Sequence, residues 1–426
     1  MWRHYDYPGS PLNAAARIAV VGAGIVGCSC ALWLQRKGFK VTLIDPDDPG
    51  MGTSFGNACT IADYGCIPIN SPDLFRRLPS LLWSKDSPLS MDFAYALGHP
   101  AWMLRFLVNC RAGRVEHIID QLGGLLGKTW VGLDPLLDMA EARDLMRQQG
   151  CMYVYENERE FHRAEPSNRV RREQGARYTE LDRADIVELE PGLKYPFQRG
   201  LLFESASHVI DPLRLVQRYF ECFLRNQGEF IRQRAVCIEQ VPDGVGLRLD
   251  NGGNLQIDRI VIAAGAFSKT IAGVPAALPL DTERGYHLQF RDRQHLLKRP
   301  VCWNTAGFYA TPTAEGMRLA GTVEIAGYRS TPNPRRLAYL LRKGREMLEL
   351  PESADQEWLG FRPTMPDSLP VIGCAGDNDR VVMAFGHHHL GLTLAGITGK
   401  LVAELVNGDE PGHNIRPFSP DRFLQA

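Results

Sequence analysis

The chain has 426 residues, 44% hydrophobic and 23% charged, a balance typical of a soluble globular protein with two or three domains. The formal net charge is −1, so no overall basic field favours a nucleic-acid partner. The ten cysteines form no CxxC pair and no secreted-type framework. We therefore expect reduced thiols in a cytoplasmic protein.

The N-terminal part of the chain shows no targeting signal. Residues 1–16 are polar and lack a continuous apolar run, which predicts a flexible leader rather than a signal peptide. No stretch approaches the roughly 18 apolar residues that a membrane span needs. The segment from Leu74 to Val108 is apolar and aromatic but interrupted by charges, and we interpret it as helices covering the core. The alternative is a surface that lies peripherally on the inner face of the cell membrane.

A glycine-spaced turn follows the first apolar strand. Gly22, Gly24 and Gly27 fit G-x-G-x-x-G, in which backbone N–H groups approach a pyrophosphate at a helix N-terminus. A helix over Gly24–Lys37 and a strand ending at Asp45 complete a βαβ unit, and an acid at that place suits a ribose diol and disfavours NADP. We therefore predict a dinucleotide held by Asp45 and by the turn. The turn residues are Gly22, Ala23, Gly24, Ile25, Val26 and Gly27.

The later elements predict a nucleotide domain that is interrupted twice. Residues 90 to 180 have a helical pattern, and Asp211-Pro212 predicts a helix start. Strand patterns follow at 235–241, 246–249, 260–263, 285–328 and 381–384, and the last feeds a helix over Leu392–Val406. We predict an α/β (α+β) fold in which a Rossmann-type FAD-binding domain is interleaved with a substrate domain of antiparallel sheet and helices. The expected FAD-binding segments are 17–89, 205–275 and 360–426, and the substrate segments are 90–204 and 276–359.

Several motifs carry a family resemblance along the chain. They are Thr53-Ser54-Phe55-Gly56-Asn57-Ala58, the strand Ile260 to Ala263 with Ala264-Gly265-Ala266, and His387-His388-His389-Leu390-Gly391-Leu392-Thr393. With the glycine turn, these segments resemble the D-amino-acid oxidase and dehydrogenase superfamily of flavoproteins. Cys59 and His388 stand where that family has a glycine or another small residue.

The resemblance implies FAD as the cofactor. It places Thr53, Ser54, Asn57 and Ala58 beside the flavin, Ala264 and Gly265 under the FAD, and Val236 at the adenine. It also places Leu390, Gly391, Leu392 and Thr393 at a helix N-terminus that faces the N1–C2=O edge of the flavin, where it stabilises the arriving negative charge. Three consecutive histidines do not converge on one ion, so we expect no metal.

The resemblance also implies a substrate site. Arg362, in Gly-Phe-Arg-Pro, takes the position whose guanidinium fork holds the substrate carboxylate, and Tyr309 takes the position of a second carboxylate contact. The structural alternatives are a loop arginine and a core aromatic residue. Tyr286, His287, His387 and His389 are candidates for contacts with the substrate amine or a ring hydroxyl.

The motif Thr282-Glu283-Arg284-Gly285-Tyr286-His287 most resembles dehydrogenases of D-hydroxyproline. We therefore expect hydride transfer from Cα of a D-amino or D-imino acid, most favourably cis-4-hydroxy-D-proline, to flavin N5, giving an imine. The electron acceptor is left open among a quinone, a redox protein and oxygen. Alternatives are an oxidase of glycine, sarcosine or D-amino acids, a flavin-bearing tRNA-modifying domain, and a plain NAD dehydrogenase.

Overall fold

The computed structural model describes residues 16–72, 89–242, 244–328, 331–376 and 378–424. Most of the predicted leader and residues 73–88 of the apolar segment therefore lie outside the described residues. The rest of that segment forms a short strand, Leu89–Met91, and two short helices, in which Trp102 and Phe106 are buried and Leu97 and Leu104 are exposed.

The first sheet has six strands and is parallel over five of them. Its strands are continuous apolar runs because helices cover one face and a small sheet covers the other. The strand order is β10-β2-β1-β14-β21-β20. The strands are β1 (Arg17–Val21), β2 (Lys40–Ile44), β10 (Glu229–Ile231), β14 (Arg259–Ile262), β20 (Val371–Ala375) and β21 (Asn378–Phe385).

The second sheet has nine strands and is largely antiparallel, and its order is β19-β15-β18-β17-β16-β6-β8-β7 with β4 beside β18. Its nine strands are β4 (Leu89–Met91), β6 (Cys151–Tyr155), β7 (Thr179–Leu181), β8 (Arg199–Phe203), β15 (Asp281–Arg291), β16 (Val301–Trp303), β17 (Phe308–Thr313), β18 (Gly316–Ile325) and β19 (Gln356–Thr364).

Two small sheets contain the remaining strands. One consists of β11 (Ala235–Val241), β12 (Gly244–Leu249) and β13 (Asn254–Ile257), and the other of β3 (Thr60–Ile61), β5 (Met146–Arg147) and β9 (Ser207–Val209).

Ten α-helices are described in the same residues. Most begin at a capping side chain or a proline, as at Asp211-Pro212 and Asn333-Pro334. The helices are α1 (Ile25–Arg36), α2 (Phe93–Gly98), α3 (Pro100–Asn109), α4 (Ala112–Leu126), α5 (Thr129–Met139), α6 (Glu158–Glu173), α7 (Arg183–Leu189), α8 (Pro212–Arg225), α9 (Pro334–Met347) and α10 (Gly391–Asn407).

Several strands differ from the sequence prediction. The helical interpretation of residues 90 to 180 is wrong at β5 and at β6, and β6 is a fully buried strand of the second sheet. The apolar run of β6 is short, and short apolar runs do not distinguish strand from helix by periodicity. β19 extends to Thr364, so Gly360, predicted to open the last FAD-binding segment, lies inside a strand of the second sheet.

The last helix, α10, forms the centre of the core. The stretch His388–Asn407 is long and apolar enough to cross a membrane by length and composition, but 83% of its apolar window is buried inside the protein. Small residues allow its close packing: a Cβ on Gly396 would lie 2.6 Å from the backbone of Gly132 in α5, and one on Gly399 would lie 2.7 Å from the backbone of Ser29 in α1. The position of α10 is therefore fixed by backbone contact on two sides.

Gly396→Ala tests this packing. The added methyl group meets backbone that cannot yield, so we expect a loss of roughly 1–3 kcal/mol in the free energy of unfolding, the range for overpacking. The matched control is Gly113→Ala in α4, where a Cβ meets nothing within 4 Å; it should stabilise by about 0.5–1 kcal/mol. Urea unfolding measures both. Equal changes in the two variants would contradict the packing argument.

Candidate functional site

A cavity of about 350 Å³ opens where the carboxyl ends of the parallel strands face the second sheet. Ligands bind at this edge of open α/β sheets. Most of the residues expected to hold a dinucleotide lie in its wall. They are Gly22, Ala23, Gly24, Ile25, Val26, Asp45, Thr53, Ser54, Asn57, Ala58, Ala264, Gly265, Gly391 and Leu392.

The glycine turn between β1 and α1 requires glycine for contact reasons. Gly22 has a φ of 107°, and a Cβ there would overlap the carbonyl oxygen of Ala263 at the end of β14. A Cβ on Gly27 would overlap the carbonyl of Gly22, so Gly27 serves helix packing and is not in the cavity wall. The turn thus lies against two strands and leaves its outer face free for a ligand.

Asp45 lies beside this turn, at the end of β2. Its Oδ2 accepts a hydrogen bond from the backbone N–H of Ala23 at 2.6 Å, and its Oδ1 accepts one from Asp47 at 2.9 Å. Burial raises the pKa of this carboxyl above its ordinary value. The carboxylate oxygens keep further lone pairs with which to accept a ribose hydroxyl.

The segment 53–58 is held between the two sheets. The Thr53 hydroxyl donates to the carbonyl of Phe361 at 2.8 Å, and Arg318 donates to the carbonyl of Phe55 at 2.9 Å. Ser54 Oγ accepts the N–H of Ile25 at 2.9 Å, which ties the segment to the start of α1. The sequence analysis assigned Thr53 and Ser54 to the flavin, and in the structure both hydroxyls also hold this segment in place.

Both departures from the family glycine pattern fall on left-handed backbone. Cys59 has a φ of 67° and His388 a φ of 49°. This conformation costs a non-glycine residue roughly 1–3 kcal/mol. Each side chain finds a buried partner: Cys59 Sγ accepts from Arg318 at 3.6 Å, and His388 Nε2 accepts the N–H of Met365 at 3.0 Å.

Three other residues assigned to the cofactor lie outside the cavity wall. Val236 is replaced there by its neighbours Arg234 and Ala235, and the pairing of β11 with β12 is irregular between Ala235 and Cys237. Leu390 is buried, and Thr393 Oγ1 accepts the N–H of Ala62 at 2.9 Å.

The N-terminus of α10 faces the cavity through Gly391 and Leu392. No side chain caps it and no acidic residue lies in its first turn. Its free N–H groups and positive dipole end therefore favour negative charge in the cavity.

Arg362 lies at the other side of the cavity, on β19. Its Nη1 donates to the carbonyl of Thr322 at 3.1 Å, and its Cζ would lie 2.6 Å from a Cβ on Gly285. Thr322 has a φ of 57°, an uncommon conformation for a β-branched residue, at the irregularity in the pairing of β15 with β18. Burial lowers the pKa of Arg362 from its ordinary value. An arginine has no deprotonated form in proteins near neutral pH, so the cavity contains a positive charge.

Adjacent candidates Tyr286 and His287 separate onto opposite faces of β15. Tyr286 contributes to the cavity wall, but its side chain belongs to the apolar cluster under α9, and its hydroxyl donates to Glu324. The hydroxyl thus already has a partner, and its contact with substrate stays a prediction. His287 is buried on the other face, with its Nδ1 3.2 Å from the carbonyl of Gly56 and its Nε2 without a partner. Burial lowers the pKa of His287 to about 3, so its ring is neutral.

The three consecutive histidines have three different surroundings. His387 Nε2 lies 2.9 Å from Thr398 Oγ1 inside the core of α10, and His388 bonds Met365. Burial lowers the pKa of each to about 3. His389 lies deep in the protein, where its burial and Arg362 lower its pKa to about 4, yet its ring is accessible through the cavity. All three histidines line the cavity, but His387 and His388 are buried and His389 is exposed, so His389 is the histidine best placed to meet a ligand.

Tyr309 lies on the cavity-facing side of the second sheet, opposite Ala320, which is part of the cavity wall. Its hydroxyl is 2.7 Å from that of Tyr153, and burial raises its pKa well above the ordinary value. The structure therefore places this neutral phenol beside the cavity but outside its wall.

The sequence analysis missed Trp358, whose ring forms part of the cavity wall. It stacks on His287 at 5.0 Å between ring centroids, and a Cβ on Gly56 or on Gly360 would overlap its ring. Both glycines thus leave room for the same aromatic ring. They belong to different motifs, so neither motif alone predicts the position of Trp358.

The cavity fits an FAD on the evidence of its own residues. Glycines leave space where a pyrophosphate must approach the turn, and the N-termini of α1 and α10 both face the cavity. The Ile25 N–H of α1 is already bonded to Ser54, whereas α10 has no capping side chain. Arg362 and His389 add a positive charge and a neutral imidazole across from them. This arrangement can hold a dinucleotide and orient a small anionic substrate against it.

Comparisons with known proteins agree with this geometry. Residues 17–405 match the DAO family, described as FAD dependent oxidoreductase. The chain is 32% identical over 416 residues to a D-amino-acid oxidase of Bradyrhizobium diazoefficiens, covering 96% of this chain and 99% of the relative. It is 26% identical over 449 residues to a D-amino acid dehydrogenase of Paramagnetospirillum magneticum, with 96% and 99% covered.

Solved structures show the same fold. Glycine oxidase from Geobacillus kaustophilus superposes with a TM-score of 0.73 at 19% identity, covering 95% of this chain and 98% of that one. With a family match over nearly the whole described chain, the protein belongs to the DAO family of FAD-dependent oxidoreductases.

Proposed function

We propose that the protein is an FAD-dependent dehydrogenase of D-amino and D-imino acids, with cis-4-hydroxy-D-proline as the preferred substrate. The observation that carries the proposal is the guanidinium of Arg362, which the second sheet contributes to the wall of the cavity that the dinucleotide turn also lines. Relatives named D-amino-acid oxidase and D-amino acid dehydrogenase support the substrate class.

The side chains around the cavity suit this chemistry. Arg362 binds the carboxylate with two parallel hydrogen bonds and thereby fixes the direction of the Cα–H bond. His389 stays neutral near pH 7, so it adds no positive charge beside the substrate amine, which must be neutral to release electrons. Trp358 covers one side and keeps water away. FAD bound in the cavity supplies the acceptor for the hydride that leaves Cα.

The preference for a ring hydroxyl rests on the imidazole of His389, which lies in the cavity wall. A neutral imidazole that accepts from a substrate hydroxyl loses this hydrogen bond with D-proline. His287 is fully buried and stacks on the wall residue Trp358, so it contributes only by positioning that ring.

An oxidase that returns electrons to oxygen is the second candidate, and the relative at 32% identity, named D-amino-acid oxidase, favours it. Parallel assays with an artificial dye and by oxygen uptake separate the two. Turnover that needs the dye supports the dehydrogenase, and equal turnover in air alone supports the oxidase.

Gly22→Ala tests the cofactor turn. The new Cβ would overlap the Ala263 carbonyl at a φ that alanine rarely adopts, so we expect the variant to be purified without FAD. The native protein should show flavin absorption and release intact FAD on acid treatment. Gly98→Ala, which meets nothing within 4 Å, is the control and should keep its FAD. A yellow Gly22→Ala protein would disprove the assignment.

Arg362→Ala tests the carboxylate contact. Removal of the guanidinium should lower kcat/KM by about 3–5 kcal/mol, the range for truncating one partner of a buried charge pair. Arg362→Lys should recover only part of the loss, because an ammonium cannot form the two-point fork. Near-native kcat/KM in Arg362→Ala would show that the carboxylate is bound elsewhere.

A substrate panel tests the hydroxyl preference. We expect the order cis-4-hydroxy-D-proline, then D-proline, then D-alanine and glycine in kcat/KM with dye as acceptor. His389→Phe should remove the preference between the two cyclic substrates, which reaches up to about 10⁴-fold when a polar group is left unpaired, while D-proline turnover is kept. A native preference for D-alanine or glycine would return the protein to the general D-amino-acid class.

A further inference from the structure

Glu283 is a buried carboxyl group that the proposed chemistry does not use. It pairs with Arg362 across the antiparallel strands β15 and β19, so both side chains are on the same face of the sheet with Cβ atoms roughly 5 Å apart. Glu283 is 1% exposed, and its Oε2 has no hydrogen-bond partner among the residues that the structure describes. A carboxyl group in such a place is costly unless a nearby charge compensates it.

Arg362 is the positive group that faces Glu283 from the neighbouring strand. Burial raises the pKa of Glu283 to about 7, Arg362 acts to lower it, and Asp281 on the same strand raises it further. Asp281 in turn accepts a hydrogen bond from Tyr95 of α2 at 2.6 Å. Arg362 is in the cavity wall, whereas Glu283 is not.

The other charged groups nearby are engaged or neutral. Arg284, next along β15, pairs with Glu324 of β18 at 3.3 Å. His388 and His389, which approach Arg362 from the segment before α10, stay neutral near pH 7 because their pKa values are lowered to about 3 and about 4. Glu283 is thus the group in this cluster that can change its charge near neutral pH.

We propose that Glu283 is the resting counter-ion of Arg362 and takes up one proton from solvent when a carboxylate ligand binds Arg362. The inference rests on the proposed function, which brings the substrate carboxylate to Arg362. It makes Glu283 a positioning residue that acts through Arg362 and sets the pH range in which anionic substrate binds.

The charges determine the direction in which carboxylate affinity changes with pH. Before binding, one guanidinium faces one ionisable carboxyl group; after binding it faces two, and the like charge favours the protonated form of Glu283. Affinity for a carboxylate is therefore highest at pH values below the pKa that Glu283 has in the ligand-free protein. Above that pKa the affinity falls by about tenfold per pH unit, until the pH reaches the pKa that Glu283 has in the complex.

The test uses the FAD-loaded enzyme and propanoate, a carboxylate without an amine, so that only the carboxylate interaction is titrated. Propanoate binding is followed by the change in flavin absorption between about pH 6 and pH 9. The native protein should show a Kd that rises about tenfold per pH unit above pH 7. Glu283→Gln should show a Kd that stays flat over this range, and substrate oxidation should show the same change in KM with little change in kcat.

Asp281→Asn is the matched control. Loss of its negative charge lowers the pKa of Glu283, so the rise in Kd should keep its slope and begin at lower pH. Calorimetry of the native protein in two buffers of different ionisation enthalpy should detect uptake of about one proton per propanoate at pH 8. This measurement needs no variant.

The outcomes separate the two hypotheses. If propanoate binds the native protein but Arg362→Ala binds it equally well, or if it binds at no pH, the carboxylate role of Arg362 fails and the inference fails with it. If binding requires Arg362 but shows no proton uptake, or if Glu283→Gln keeps the pH slope, the inference on Glu283 alone is overturned.

Discussion

One guanidinium charge buried between two sheets constrains the whole candidate site. Arg362 needs space, a carbonyl partner and compensating charge, and three neighbouring features supply them. Gly285 has no side chain beneath the guanidinium, the left-handed Thr322 turns its carbonyl toward it, and Glu283 faces it from the next strand. The neutral histidines around it follow from the same burial, because a second positive charge at this depth would be unfavourable.

The fold could be predicted from the sequence where local interactions determine the structure. The glycine turn, the helix after it and the apolar strand at Ile260 follow from backbone sterics and from continuous burial, and the structure has them within a residue or two of the expected limits. The α/β fold with its Rossmann-type sheet is confirmed by the structure and by the DAO family match. The strand that begins at Cys151 could not be predicted from the sequence, because its short apolar run becomes a strand only by pairing with segments far along the chain.

The sequence predicted which residues lie at the cavity better than it predicted what each side chain contacts. Sequence placed Arg362 and His389 among the candidates, and both lie in the cavity wall. It could not separate Tyr286 from His287, since alternate residues of a strand face opposite sides and the facing side depends on the irregularity near Gly285. Trp358 was invisible for a similar reason: its neighbours in space come from motifs some 300 residues apart in the chain, and only the fold brings Gly56 and Gly360 to one ring.

The pairing of the first sheet has a consequence for synthesis of the protein. Ile18 of β1 pairs with Arg259, and the next strand out begins at Asn378, so the cofactor turn lacks its supporting neighbour until more than half of the chain has left the ribosome. Contacts of such separation form late, because loop closure must precede them. The emerging N-terminal segment therefore exposes its apolar strand and helix for many seconds at ordinary elongation rates of roughly 5–20 residues per second. We therefore expect FAD to bind only after β14 and β21 have been made, when most of the chain is complete.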